Sequence, residues 1–380
     1  LTVAEPFKNL INADEIRKAA KVLAASVPRF DAAQFVSKAT AGLDTLELKA
    51  RAMQVCAALE STLPADFERC ARYLCNAMRG DDGLRGWILW PAGEYIARRG
   101  QQQPEIALAL LHTLTPRFTA EWAIRPFIER HTALTFETLH RWTTDPDEHV
   151  RRLVSEGSRP RLPWGLQLKG LIADPSPTLP LLRALQDDTS EYVRRSVANH
   201  LNDIAKDHPA LVAAWVEEHL ADASPERKKL LRHASRTLIK AGDRRTLAAF
   251  GLGGKFKGHA AMKITPRRIE LGQTVELCIT LSSSARTSQS LEVDYAVHHV
   301  KSRGHTTAKV FKGWRVELGA GQERVLGKRH SMKPITTRVY HPGRHAVDLL
   351  VNGQVVAQAA FDLTTDPPRR RTAVAARPVK

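Results

Sequence analysis

Two short segments concentrate the residue types that can do chemistry. The first, HVRRLVSEGSRPRLPW, runs from His149 to Trp164 and sets Arg152, Arg159 and Arg161 around one carboxylate, Glu156, and one indole, Trp164. Gly157 is a good C-terminal cap, and Pro160 and Pro163 cannot continue a helix, so this helix should stop near Glu156. A carboxylate there sits against the negative end of the helix dipole, which local stability does not favour. Two readings stay open: Glu156 pairs with Arg152 or Arg159, or it is placed for function. The second segment, EWAIRPFIER, spans Glu121 to Arg130. Glu121 and Arg125 stand four residues apart, and Pro126 within the helical pattern is expected to bend it and free a carbonyl. Such a bend either aims side chains at a site or is a structural kink carrying a surface ion pair.

The elements that must position these residues are helices. From about residue 10 to 250 the pattern is helical throughout, as in ELKARAMQVCAAL (47–59), PEIALALLHTL (104–114) and PALVAAWVEEHL (209–220), where apolar residues recur at i, i+3, i+4 and i+7. A repeat is visible in the second half. Asp145-Pro-Asp-Glu-His-Val-Arg-Arg-Leu-Val returns 43 residues later as Asp188-Thr-Ser-Glu-Tyr-Val-Arg-Arg-Ser-Val, with a weaker copy from Ser224. That period fits HEAT-like helix pairs. Asp145 and Asp188 are expected to cap their helices with a Glu three residues on, leaving Val inward and at least one Arg outward on a concave face.

Composition changes at Gly251–Gly258. The Gly-Lys pair there lacks phosphate-loop spacing and reads as a glycine-rich linker. From His259 to Thr365 short alternating segments (275–282, 291–300, 307–318, 345–353) with turn signals between them indicate an immunoglobulin-like β-sandwich. The expected fold is therefore multi-domain, all-α plus all-β. A HEAT-like α-helical solenoid (1–250) is followed by a linker (251–258), the sandwich (259–365) and a basic disordered tail (366–380).

The chain of 380 residues carries 57 Lys and Arg against 40 Asp and Glu, a net charge of +17. Such a surplus favours a polyanionic partner, nucleic acid first and an anionic membrane second. It is unevenly placed: from residue 256 onward 21 Lys and Arg face 9 Asp and Glu, so this last third holds +12. That bias suits a sandwich that grips phosphates. No stretch approaches the roughly 20 apolar residues of a membrane span, and the start is amphipathic and charged. The expectation is a soluble protein of the bacterial-type cytosol, working with the chromosome. Four cysteines without a CxxC pair argue against a disulfide scaffold or structural zinc. The histidines at 298, 299, 305, 330, 341 and 345 lack metal-ligand spacing and are expected at the surface, adding to its basic face. Trp87, Trp90, Trp142, Trp215 and Trp314 are expected to be packing residues.

EWAIRPF, VRRLVSEGSRPRLPW, AEPFKNLIN near the start and LELKAR at 46–51 together resemble the AlkC branch of the AlkC/AlkD-type DNA alkylation repair glycosylases. The resemblance covers essentially the whole helical region, and some members of that branch also carry an immunoglobulin-like C-terminal domain. It implies a monofunctional, monomeric glycosylase of base excision repair. Such an enzyme hydrolyses the N-glycosidic bond of cationic alkylated bases in duplex DNA, chiefly N3-methyladenine with N3-methylcytosine a further candidate. It works on the deoxyribose while the base stays stacked, with no metal or nucleotide cofactor. The departing base moves positive charge onto the sugar, so the protein must stabilise an oxocarbenium ion and position a water. Glu156 and Glu121 are the carboxylates for that work and Trp164 the aromatic. Arg125, Arg152, Arg159, Arg161, Arg194 and Arg195 are expected on DNA, with Asn199 and Asp203 as further polar contacts. The competing reading is a non-catalytic HEAT scaffold that binds DNA or a protein. It gives no reason for Glu121, Glu156 and Trp164 to share a face with the arginines.

Overall fold

The computed structural model describes residues 6–252, 254–335 and 338–364, and the basic tail expected at 366–380 lies outside them. Among the described residues sixteen α-helices lie between Ala13 and Ala249, and eight strands follow from Gly258. The fold class is thus the expected one. None of the helices is long and apolar enough to cross a membrane.

The repeat is realised as neighbouring helices. The helices Glu148–Gly157 and Glu191–Ile204 begin 43 residues apart and pack side by side, and Pro225–Ala234 lies next along the row. In each of the first two copies the Val goes fully inside (Val150, Val193). The helix starts differ from the expected capping box. Asp147 caps the first helix through His149 N, whereas Asp145 and Asp188 close turns two residues ahead by accepting from Asp147 N and Ser190 N. An Asp side chain reaches the backbone two residues on more easily than it spans to the helix. Pro126 also departs from expectation. It stands in the first turn of the short helix Arg125–Arg130, where its missing N–H costs nothing, so it starts a helix and bends none.

The strands are β1 (Gly258–Thr265), β2 (Arg268–Glu270), β3 (Thr274–Ser283), β4 (Gln289–Val300), β5 (Thr306–Leu318), β6 (Glu323–Ser331), β7 (Gly343–Val351) and β8 (Gln354–Thr364). They form two sheets, ordered β1-β3-β6 and β2-β8-β7-β4-β5. Alternate residues point inward: Val275, Leu277, Ile279 and Leu281 from one sheet meet Val293, Tyr295, Val297, Val347 and Leu349 from the other in one core.

The chain separates into two compact units, and the division does not follow composition. Leu1–Val212 with Asp222–Ala234 form one; Ala213–Ala221 with Ser235–Lys380 form the other. The last short helices thus belong with the sandwich. Gly242, at φ +73°, abuts Gly353 so closely that a Cβ on Gly353 would lie 2.3 Å from the Gly242 Cα. The segment expected as a glycine-rich linker meets this same unit at two of its described residues, Leu252, which is buried, and Gly254, whose carbonyl accepts from Asn352.

The histidines give a further correction. His299, His330 and His345 are buried in the sandwich, because their strand positions fall on its inner face. Tyr295 lies against His330 (Oη to Nδ1 3.1 Å), Arg338 donates to His299 Nε2 at 2.9 Å, and His345 stacks on Phe361. Burial, with Arg338 adding to it, pushes His299 down to about 3 and His330 down to about 4, and burial lowers His345 as well. A histidine held neutral in the fold stabilises fully above its unfolded pKa, roughly 6.5, and loses that contribution as pH falls toward the folded value. The sandwich should therefore weaken between about pH 6.5 and 4. His345→Phe, which keeps the stack and removes one titrating ring, should show a smaller drop in urea midpoint between pH 7.5 and 5 than the parent. An equal drop in both would exclude His345 as a contributor.

Candidate active site

Glu156 and Glu121 come from different segments and are brought together by a close backbone approach. Glu156 is the penultimate residue of Glu148–Gly157; Glu121 lies in the turn before Arg125–Arg130. Gly157 makes the approach possible. A Cβ there would stand 2.6 Å from Ile124 Cγ2 and 3.9 Å from the Glu121 carbonyl oxygen, so any larger residue would push the turn away.

Arg152, one turn before Glu156, sits between the two acids. Its Nη1 is 2.5 Å from Glu121 Oε2 and its Nη2 is 3.6 Å from Glu156 Oε1. The Thr119 hydroxyl donates to the same Glu121 oxygen at 3.0 Å. Arg159 Nη1 donates to Glu156 Oε1 at 2.5 Å, its Nε donates to Asp203 Oδ2 at 2.8 Å, and Lys206 donates to Asp203 Oδ1 at 2.8 Å. From the neighbouring helix, Ser196 Oγ donates to Glu156 Oε2 at 2.6 Å. The Arg152 guanidinium also lies over the Tyr192 ring, 5.2 Å from its centre. Both glutamates are largely buried. Burial pushes the Glu121 carboxyl above the ordinary carboxylate range, Arg152 pulls it down and the Glu156 charge raises it again.

The aromatic side is a layer of rings. Trp164 is parallel to Trp90 (2°, 6.2 Å between centroids) and close to Trp122 and Phe7, and Trp90 stacks on Trp122 at 4.5 Å. Trp164 remains 58 % exposed. Its backbone is left-handed, φ +63°, an outlier for so bulky a residue. Hydrogen bonds hold it there: Trp122 Nε1 to the Pro163 carbonyl at 3.2 Å and Lys49 Nζ to that of Trp164 at 3.2 Å. Strain of this kind clusters at functional sites. Trp122 directly follows Glu121 in the chain, so the ring layer and one of the two carboxylates come from the same turn.

Several expected roles change. Arg125 is 0 % exposed and donates to the carbonyls of Gly157, Arg159, Pro160 and Leu166. Burial pushes its guanidinium down to about 10. It therefore cannot reach a phosphate, or pair with Glu121 as a surface bridge; it braces the loop that ends in Trp164. Arg159 and Asp203 are buried in the carboxylate network for the same reason, their polar atoms spent on each other, on Glu156 and on Lys206. Arg161 is held bidentately by Asp207. The two arginines of each repeat divide the work. The first, Arg151 or Arg194, folds back onto the carbonyls six and five residues earlier and fixes its own helix start. The second differs between the copies: Arg152 is turned into the two acids, whereas Arg195 is exposed, with a 3.8 Å contact to Glu191 as its ion pair among the described residues. Asn199 meets His233 Nε2 at 2.9 Å. Trp87 and Trp90 do pack, but within the ring layer that carries Trp164.

Thr119, Trp122, Tyr192 and Ser196 were not singled out by the sequence. Ser196 had a signal in the repeat, because it occupies the position of the buried Leu153. Among the described residues no three His, Cys, Asp or Glu side chains are grouped to hold a metal ion.

The chain is thus a helical-repeat unit with two largely buried carboxylates gathered on one arginine, followed by an immunoglobulin-like sandwich. Residues 94–238 match the family described as DNA alkylation repair enzyme, and residues 258–365 match the C-terminal Ig-like domain of the uncharacterised protein YhaZ. YhaZ of Bacillus subtilis (strain 168) is 35% identical over 362 residues, covering 94% of this chain and 99% of its own. The solved structure of the Pseudomonas fluorescens alkylpurine DNA glycosylase AlkC, bound to DNA containing an abasic site analog, superposes with a TM-score of 0.89 at 38% identity, over 94% of this chain and 99% of that one. The chain belongs to the AlkC branch of the DNA alkylation repair enzyme family.

The brace makes a quantitative expectation. Arg125→Met strips the partners from several buried carbonyls and should cost about 3 kcal/mol or more. The Tm of the helical unit should fall by on the order of 10 °C. A change of a degree or two in calorimetry would mean that the 157–166 loop holds itself.

Proposed function

We propose that this protein is a monofunctional DNA glycosylase of base excision repair, acting on cationic alkylated bases in duplex DNA, N3-methyladenine first and N3-methylcytosine as a further substrate. The observation that carries the reading is the pairing of two largely buried carboxylates through Arg152, with an exposed, strained indole on the loop that follows Glu156. Likeness to an alkylpurine glycosylase over nearly the whole chain supports the reaction class.

The chemistry follows from charge. An N3-alkylated base already carries a positive charge, so it leaves without an acid, and the sugar it leaves becomes cationic. Two fixed carboxylates stabilise that cation by Coulomb attraction in a low-dielectric setting, and one of them orients and deprotonates the water. Arg152 lies against both acids and offsets their mutual repulsion while the site is empty. The exposed face of Trp164 adds about 0.5 to 2 kcal/mol of cation–π attraction to the sugar. An open ring layer of this kind suits a sugar approached from the groove with its base still stacked. The protein acts as a monomer.

Glu121→Gln and Glu156→Gln should each slow single-turnover base release by one to several orders of magnitude with little change in DNA affinity. Because burial raises Glu121, the rate should fall as pH drops through a value above the carboxyl's ordinary 4.5, and Glu121→Gln should lose that limb. Wild-type rates in both variants would sink the assignment.

The sandwich unit is proposed to hold the DNA backbone as a clamp. Its surplus of cations supports this, as does a cavity of about 490 Å³ rimmed by Lys255, Lys257 and Arg286, none of which forms an ion pair among the described residues. Replacing these three by Glu should weaken binding to damaged and undamaged duplex alike, and each lost phosphate contact should reduce the slope of log K against log salt by about 0.9. Arg195→Ala should act in the same direction, whereas Arg194→Ala should chiefly lower Tm. Unchanged affinity in the triple variant at moderate salt would rule the sandwich out as a phosphate grip.

A further inference from the structure

The two copies of the repeat differ at one interior position. Val-Arg-Arg-Leu-Val carries Leu153 where Val-Arg-Arg-Ser-Val carries Ser196, and both side chains are buried. A serine there gives up the apolar packing that the first copy has, so its hydroxyl needs another purpose. Several helical hydroxyls of this chain return to the carbonyl four residues back, as Thr40 does to Val36, Thr62 to Ala58 and Thr113 to Ala109. Ser196 instead reaches across 40 residues and donates to Glu156 Oε2 at 2.6 Å.

Its effect on Glu156 can be read from the two oxygens. Oε1 takes Arg159 at 2.5 Å and Arg152 at 3.6 Å; the donor on Oε2 is Ser196. A guanidinium fork favours both oxygens of a carboxylate. Without Ser196, the carboxylate of Glu156 is free to turn its second oxygen toward Arg159 or Arg152. That turn would rotate the carboxylate plane and spend its charge on protein cations. With one oxygen pinned from the neighbouring helix, the group keeps a single orientation.

We propose that Ser196 is a positioning residue for base excision, fixing the orientation of Glu156 across the interface between the helices Glu148–Gly157 and Glu191–Ile204. The proposal rests on the glycosylase reading above. Small displacements of a group that must meet a developing charge are costly to rate even when the fold is intact.

The test compares Ser196→Ala, Ser196→Thr and Glu156→Gln in the full chain, following release of N3-methyladenine from methylated duplex under single-turnover conditions, with DNA affinity and Tm measured alongside. Ser196→Ala should be about tenfold slower at unchanged affinity, and Ser196→Thr, which keeps the hydroxyl, should recover most of the rate. In a Glu156→Asp background, where the shortened side chain no longer reaches Ser196, Ser196→Ala should cost little more, since it acts through Glu156. A wild-type rate in Ser196→Ala beside an inactive Glu156→Gln overturns the proposal and leaves the glycosylase reading standing. Equal slowing in the Ala and Thr variants with a falling Tm overturns it in favour of packing. Full activity in Glu156→Gln removes the reading and the proposal together.

Discussion

Two carboxylates taken out of water next to each other repel, and Arg152 is the group placed against both of them. It reaches Glu121 and Glu156 with different nitrogens of one guanidinium, and a second arginine, Arg159, shares the same Glu156 oxygen and is itself paired with Asp203. Buried ion pairs are weak sources of stability, because desolvation consumes most of the Coulomb gain. On the proposed function, their persistence is preorganisation, with negative charge fixed before a positive charge appears.

Much of the surrounding structure can be traced to this requirement. Gly157 lets the turn carrying Glu121 touch the helix carrying Glu156. Arg125, fully buried, ties the carbonyls of the chain that follows that helix, so that the loop reaching Trp164 is set by four hydrogen bonds from one side chain. The left-handed Trp164 is held at the end of that loop by bonds to its own and the preceding carbonyl, and its ring is stacked on a layer rooted in the Trp90 helix. Glu121, Glu156 and Trp164 thus sit at the ends of elements or in the turns that join them.

What was legible in the sequence follows from how local each signal is. Helices and strands were readable because their periods are written in consecutive residues, and Glu121, Glu156 and Trp164 stood out through dense motifs. The partners of those residues were harder to see. Arg125 reads as a surface cation by type, and only its three-dimensional surroundings make it a brace; the same holds for Arg159 and Asp203, which neutralise each other across 44 residues. The buried histidines of the sandwich were read as surface groups because histidine is ambivalent by type, whereas the alternation of their strands placed them inside. Ser196 was in plain view in the repeat, but its meaning depends on which residue faces it.

The measurement that bears most directly on this account is product analysis on methylated duplex DNA incubated with the pure protein. The account predicts free N3-methyladenine in solution, identified by mass, with an abasic site left in an otherwise unbroken strand. Tight binding of the same duplex without release of any base would contradict it, and would make the carboxylate network part of a scaffold.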